Sequence, residues 1–375
     1  VVGVNLAIGF LFKPFEATLV AYNRFDFLNA VGVTFSIVRA ISIVIVLKSG
    51  YGVVEMAYTI LFLDMLNHVV IFCLSKKIFA GLQLGCKFVH KDSVTKLINF
   101  GFFNFLREIS RFILNKTDTI LVGIFLGTSV VAVYAIAESL ISYTSSITKG
   151  ITRVLLPLSS ELNAKDQTAK IKKIMLLIPK YIFLGSVFIW TEFYFLGDQF
   201  ILLWLGTGFH ESYIIFCILM AARVSVMTHD IMVISVVGIG KNKFFGWLSV
   251  FEMLANLTLS LILVKKIGLL GVAFGTLLPL LITRSIIVPV YCSKIVHISL
   301  KEYLSNIISP TVVCSIPYVL VTSQLVLLLP PDNYLTLCLN FLLSFLVLMI
   351  FFYRFLEIEI KKTIVKTFGR FAWSR

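Results

Sequence analysis

The stretch SYIIFCILMAARVSVMTHDIMVISVV, residues 212–237, decides the fold of this chain. It is long enough to cross a lipid bilayer, because a spanning helix needs about 20 mainly apolar residues. Its apolar sequence is interrupted by two charged residues, Arg223 and Asp230, and by the imidazole of His229. The stretch therefore predicts a transmembrane helix that carries polar groups into the membrane.

The same pattern extends in both directions along the 375 residues, of which 59% are hydrophobic and 14% charged. Soluble proteins carry roughly 25% charged residues, so this composition excludes an ordinary soluble enzyme and a disordered chain. Because lipid offers no partner to a bare backbone group, the predicted fold class is all-α, a polytopic integral membrane protein. Eleven spans are predicted, at residues 2–22, 28–47, 53–74, 98–125, 129–152, 173–196, 212–237, 244–264, 269–292, 306–329 and 335–353.

The basic residues predict the orientation of these spans. The connections and the tail on one side hold 22 Lys and Arg, whereas the other side holds only Lys48, Lys265 and Lys266. The positive-inside rule makes the first side, with the C-terminus, cytoplasmic. The net charge of +14 is thereby explained by topology, and no nucleic-acid partner is expected. Eleven spans place residue 1 outside, so we expect an intact protein to carry an odd number of further helices upstream.

Two stretches repeat at an offset of 219 residues. Asn23-Arg24-Phe25 precedes a span and a Lys/Gly turn at 48–53, and Asn242-Lys243-Phe244 precedes a span and a similar turn at 266–272. One interpretation is two homologous lobes in the same orientation, which is typical of secondary transporters with a substrate site between the lobes. The other is a coincidence of glycine turns between apolar helices.

Charged side chains within the spans are the candidate site. A charge at the bilayer centre costs about 2.5–3.5 kcal/mol on insertion scales, so these groups should face each other or water. Spacing places Arg107 and Arg111 on one helix face, lets Glu108 pair with Arg111, and puts Arg223 and Asp230 on one face. We expect a cationic cavity, with local ion pairing as the alternative. The predicted cavity ligands are Arg39, Arg107, Arg111, Arg223 and Arg284, and the residues predicted for ion coupling or pairing are Asp64, Asp118, Glu138 and Asp230.

An arginine-rich cavity suits an anionic ligand, because guanidinium groups bind phosphate oxygens in a fork. A diphosphate head group matches that chemistry. The sequence holds no Walker loop, GxSxG or HExxH motif, and its six Cys are scattered without CxxC spacing. We therefore expect no enzyme, no metal site and no cofactor, and leave coupling to H⁺ or Na⁺ open.

Three stretches carry a family resemblance. Residues 100–127, with Thr117-Asp118 and Leu121 to Gly127, resemble the opening of the second lobe in the polysaccharide transport family, as does Val133 to Ala137. Leu156 to Leu162 is similar to that family's segment at the end of its eighth helix. These bacterial proteins are flippases for lipid-linked oligosaccharides, in a superfamily with multidrug and toxic-compound extruders (MATE) and the murein-precursor flippase.

The resemblance implies a two-lobed, MATE-like transporter of 14 helices when intact, of which the first three are missing here. It implies alternating access in the bacterial cytoplasmic (inner) membrane, with a lipid-linked oligosaccharide as substrate. Membrane lipids and other glycan-assembly proteins are the expected partners. The implied organisation is the end of the N-terminal lobe at 1–74, a basic cytoplasmic linker at 75–96, a C-terminal six-helix lobe at 97–292, an extra helix pair at 293–353 and a basic cytoplasmic tail at 354–375.

The function predicted from these features is translocation of a polyprenyl-diphosphate-linked oligosaccharide for surface polysaccharide biosynthesis. One alternative is a cation-coupled multidrug antiporter on the same scaffold, which would want a cavity dominated by acids. A second alternative is a membrane glycan-assembly enzyme, against which the short outer connections argue.

Overall fold

A computed structural model of the chain describes residues 1–79, 81, 85 and 90–355. Within these residues the structure is helical and contains no strand, so the chain is an all-α polytopic membrane protein, as predicted. The α-helices are α1 (Val2–Ala21), α2 (Phe25–Lys48), α3 (Val53–Ile78), α4 (Lys91–Leu126), α5 (Thr128–Ala164), α6 (Thr168–Leu205), α7 (His210–Gly238), α8 (Lys243–Ile282), α9 (Val288–Val296), α10 (Leu300–Tyr303), α11 (Ser309–Leu328) and α12 (Tyr334–Phe355).

The chain divides into two compact units, Val1–Thr95 and Lys96–Arg375. Unit 1 contains α1, α2 and α3, and α3 packs against both of the others. Unit 2 contains the remaining helices apart from the first turn of α4. The predicted tail from residue 356 onward, and residues 80, 82–84 and 86–89 of the predicted linker, lie outside the described residues.

Helix α7 contains the stretch 212–237 and is the central helix of unit 2. It packs against α5, α6 and α8, and most of its apolar stretch is buried within the protein. Fully buried side chains on α7, such as Phe216, Met220 and Met232, join two apolar clusters with residues of those neighbours. Because α7 is surrounded by protein, its polar residues can meet partners instead of acyl chains.

In the described part of the chain, eight helical segments are long and apolar enough to cross a membrane. One of them, Lys243–Val296, combines two predicted spans. Non-helical backbone at Ile267 and Gly268, where Gly268 has φ +59°, separates these spans as the Lys/Gly turn predicts. A Cβ atom on Gly271 or Gly275 would collide with the backbone of Leu263 or Ser260. The two segments of α8 therefore pack closely, which the glycine spacing permits.

Four predicted spans differ from these segments. The predicted span at 335–353 falls on α12, whose searched apolar part, Tyr334–Ile350, is shorter than the eight. Helix α4 is formed but is not one of the eight apolar segments, because five charged residues lie from position 107 to position 118. Helix α5 continues past the predicted end at 152 to Ala164. The predicted outer connection at 197–211 is helical to Leu205 and then forms a short 3₁₀ turn, so α6 is longer than its apolar stretch indicates.

Two π-helical turns interrupt the regular hydrogen bonding of unit 2. One, Thr283–Ile287, joins α8 to α9, and the other, Leu304–Ile308, joins α10 to α11. Such turns are rare and occur frequently at functional sites, since they rotate the side chains of one turn relative to the helix. The first of them carries Arg284.

Candidate functional site

Unit 2 contains a cavity of about 650 Å³ between α4, α5 and α7. Thr276 and Leu280, on the second segment of α8, also line it. Of the five predicted cavity arginines, Arg107, Arg111 and Arg223 line it. The predicted acids Asp118, Glu138 and Asp230 line it as well. Charged residues distant in sequence are thus brought together around one space.

Helix α4 contributes two guanidinium groups one turn apart, since Arg107 and Arg111 are at i and i+4. Arg111 Nη2 lies 3.1 Å from Asp230 Oδ2 on α7. Arg107 Nη2 lies 3.2 Å from Glu108 Oε1. The predicted pairing of Glu108 with Arg111 is therefore wrong: Glu108 contacts its neighbour Arg107, and Arg111 reaches across to another helix.

Arg223 is the guanidinium on α7 that faces the cavity. Within the described residues it has no ion pair and no side-chain hydrogen bond. Asp230 lies two turns further along the same helix and also lines the cavity, in agreement with their spacing. Its carboxylate is occupied by Arg111 and Arg284, however, so Arg223 keeps its five donors available to a ligand.

Arg284 belongs to a buried ion-pair network beside the cavity. Its Nη1 lies 3.1 Å from Asp230 Oδ1, and its Nε and Nη2 each lie 2.7 Å from an oxygen of Glu252. Thr283 Oγ1 donates to the same Glu252 at 2.6 Å. The side chains of Arg284 and Glu252 are 6% and 2% exposed. This geometry assigns Arg284 first to holding α8 and α7 together, and its predicted role as a ligand stays a prediction.

Asp118 also lines the cavity and is only 3% exposed. Its carboxylate accepts hydrogen bonds from Tyr134 Oη at 2.9 Å, Asn256 Nδ2 at 3.2 Å and Thr276 Oγ1. All three donors are neutral, and no ion pair of Asp118 occurs within the described residues. The amide oxygen of Asn256 is buried without a hydrogen-bond partner. The cluster therefore combines one carboxylate with several oxygen atoms.

Sequence reasoning did not identify Tyr134, Asn256 and Thr276 as site residues. They lie on α5 and on the two segments of α8 and carry no charge, so neither hydropathy nor spacing marks them. Glu138, which was predicted, accepts from Thr119 Oγ1 at 2.9 Å and lines the cavity.

The remaining predicted residues, Arg39 and Asp64, belong to unit 1. Arg39 on α2 forms an ion pair with Asp64 on α3, and Asn5 Nδ2 on α1 donates to the same carboxylate at 2.7 Å. The three helices of unit 1 are thus joined by one polar cluster. A buried Nε on Arg39 has no hydrogen-bond partner.

A family model described as polysaccharide biosynthesis protein matches residues 1–214, which is more than half of the chain. No curated protein and no solved structure matches the sequence significantly. The matched range includes α1 to α6 and the arginines and acids of α4 and α5 that line the cavity. The chain is therefore a multi-pass membrane protein that belongs to the polysaccharide biosynthesis protein family.

Proposed function

We propose that the protein is a flippase that moves a polyprenyl-diphosphate-linked oligosaccharide from the inner to the outer leaflet of the bacterial cytoplasmic membrane. The family supports a role in polysaccharide synthesis or export. The helical, multi-pass fold supports transport through the membrane rather than chemistry at its surface. In this proposal the protein is not an enzyme, and its C-terminus is cytoplasmic.

One observation carries the proposal: Arg107, Arg111 and Arg223 present guanidinium groups from two helices to a single cavity. Arg binds phosphate through two parallel hydrogen bonds, and such charge-assisted bonds are stronger than neutral ones. The cost of placing these charges within a membrane protein indicates that they serve a ligand. A diphosphate has two adjacent anionic groups that several guanidinium groups could bind together.

The proposed transport cycle is alternating access in a two-lobed, MATE-like fold. The cavity receives the diphosphate and sugars from the cytoplasmic side while the prenyl chain stays in lipid, and then opens to the other side. The internal repeat supports two related lobes, because Gly50 and Gly268 in the two Lys/Gly turns both have a left-handed backbone, with φ +80° and +59°.

The Asp118 cluster is the proposed site of ion coupling. A carboxylate surrounded by neutral groups within the membrane is costly to keep charged, so binding of a proton or Na⁺ would neutralise it. Oxygens of Asp118 and Asn256 and the hydroxyls of Thr276 and Tyr134 would hold such an ion. Loading and release of the ion would then bias the two states of the transporter.

The test is reconstitution of the full chain into sealed vesicles that contain undecaprenyl-diphosphate-linked N-acetylglucosamine. Accessibility of the sugar to an impermeant lectin reports its movement between leaflets. We expect faster equilibration in vesicles with the protein than in protein-free vesicles. Equal rates in both would contradict the proposal.

The rival function is a cation-coupled drug antiporter, and the acids Asp118 and Glu138 at the cavity favour it. Ethidium efflux from the same vesicles under a Na⁺ or proton gradient separates the two. We expect no ethidium efflux, because the cavity also carries three arginines that repel a cationic drug. Ethidium efflux without lipid movement would support the antiporter.

A further inference from the structure

One wall of the cavity in unit 2 differs in its hydrogen-bonding chemistry from the others. The α5 wall consists of Ser145, Thr148 and Thr152, which follow the helix at i, i+3 and i+7 and all line the cavity. Ser142 lines it on the same helix. Helix residues three and four apart share a face, so these hydroxyls form one continuous surface.

The protons of the α5 wall are already used by the helix. Ser145 Oγ donates to the carbonyl of Ile141 at 2.8 Å, Thr148 Oγ1 to that of Ser145 at 3.0 Å, and Thr152 Oγ1 to that of Lys149 at 3.1 Å. A carbonyl only accepts, so the donor in each bond is the hydroxyl. Each hydroxyl has one proton and two lone pairs, and so it can offer the cavity only an acceptor.

The arginine wall has the opposite character. Arg107, Arg111 and Arg223 on α4 and α7 have donors and no acceptor. Phosphate oxygens accept hydrogen bonds and therefore match the arginine wall. They do not match the α5 wall, because the lone pairs of the phosphate oxygens would face the lone pairs of the hydroxyl oxygens and no proton would lie between them. Lys149, one residue after Thr148, is the one cation on that helix among the described lining residues.

From this division we propose that the α5 wall is a glycan subsite, which binds sugar hydroxyls through Ser145, Thr148 and Thr152 as acceptors. A sugar hydroxyl has a proton to donate and matches an acceptor surface. A substrate with a diphosphate on α4 and α7 thereby places its first sugars against α5. The inference rests on the proposed flippase function and adds the orientation of the substrate and its preference for a glycosylated head group.

The test compares two probes on the purified full chain: undecaprenyl diphosphate, and undecaprenyl-diphosphate-linked N-acetylglucosamine. The variant Ser145→Ala/Thr148→Val/Thr152→Val removes the three acceptors with little change in volume. The control is Ser139→Ala/Ser146→Ala, because these hydroxyls lie on α5 outside the cavity and donate to Ala135 and Ser142 carbonyls in the same way.

We expect the wild type and the control to bind the glycosylated probe more tightly than undecaprenyl diphosphate. In the triple variant, the ratio of the affinities for the two probes should fall by about tenfold, since each hydrogen bond contributes modestly. Its affinity for undecaprenyl diphosphate should stay unchanged. The single variant Thr152→Val, at a partly exposed position, should show a smaller loss in the same direction and is not expected to disturb folding.

An unchanged preference in the triple and single variants would overturn the glycan subsite and leave the proposed function intact. A preference lost equally in the control would also overturn it, since the effect would not come from the cavity. A wild type that binds neither probe would contradict the proposed function itself, and the inference with it.

Discussion

Arg284 binds Glu252 through two parallel hydrogen bonds, with its Nε and Nη2 each 2.7 Å from a different carboxylate oxygen. The two residues lie 32 positions apart, on the π-helical turn after α8 and on the first segment of α8. Asp230 on α7 completes the network. Three segments of unit 2 are therefore fixed by one guanidinium group next to the cavity.

The variant Arg284→Met should unfold more readily than the wild type, by about 3–5 kcal/mol, because it leaves Glu252 buried without its partner. The double variant Arg284→Met/Glu252→Leu should recover a large part of that loss, since no uncompensated charge remains. Thermal unfolding in detergent measures both. A stable Arg284→Met that fails to bind undecaprenyl diphosphate would instead support the predicted ligand role.

The variant Gly238→Ala should destabilise unit 2. A Cβ atom there would lie 2.8 Å from the Leu156 carbonyl oxygen and from Ser159 Cβ, where α7 meets α5. Overpacking of this kind costs about 1–3 kcal/mol. The matched control is Gly185→Ala on α6, where a Cβ meets nothing within 4 Å and alanine favours the helix by about 1 kcal/mol. Equal melting temperatures for the two variants would show that the contact between α5 and α7 is looser than described.

The variant Asp118→Asn should remove the dependence of lipid movement on an ion gradient. An amide at this position cannot gain or lose a proton and binds Na⁺ more weakly than a carboxylate. Flipping rates in vesicles with and without a Na⁺ or proton gradient provide the measurement. Asp198→Asn, outside the cavity lining, is the control and should respond to the gradient as the wild type does. A gradient response retained by Asp118→Asn would exclude this cluster as the coupling site.

The orientation can be tested with single cysteines in a variant that lacks the native ones. Lys241→Cys follows α7 and should react with an impermeant maleimide only after the membrane is permeabilised. Lys266→Cys, at the Lys/Gly turn within α8, should react in intact spheroplasts. The reverse labelling pattern would place the C-terminus outside and contradict the proposed direction of transport.

The fold was largely predictable because lipid imposes both helix and length on an apolar segment. The turn at Gly268 was predicted from one lysine and glycine pattern, and the structure has it there. Helix ends were less predictable. Helices α5 and α6 extend beyond their apolar stretches because hydrophobicity reports contact with lipid and not the end of a helix.

The candidate site was only partly predictable. Charge within an apolar stretch identified Arg223 and Asp230, which both line the cavity. Spacing along one helix assigned the wrong partner to Glu108, because the partner of Arg111 is on α7. The neutral donors to Asp118 gave no signal at all, since a buried Asn, Thr or Tyr in a membrane helix is more often a simple contact between helices.

The most direct test of the central claim is the rate of lipid movement in vesicles that contain Arg223→Gln. Arg24→Gln, at an exposed guanidinium between α1 and α2 that pairs with Asp26, is the matched control. If the cavity binds the diphosphate through Arg223, Arg223→Gln should remain folded and lose movement of undecaprenyl-diphosphate-linked N-acetylglucosamine by at least about tenfold. Arg24→Gln should match the wild type. A folded Arg223→Gln that moves this lipid at the wild-type rate would contradict the account.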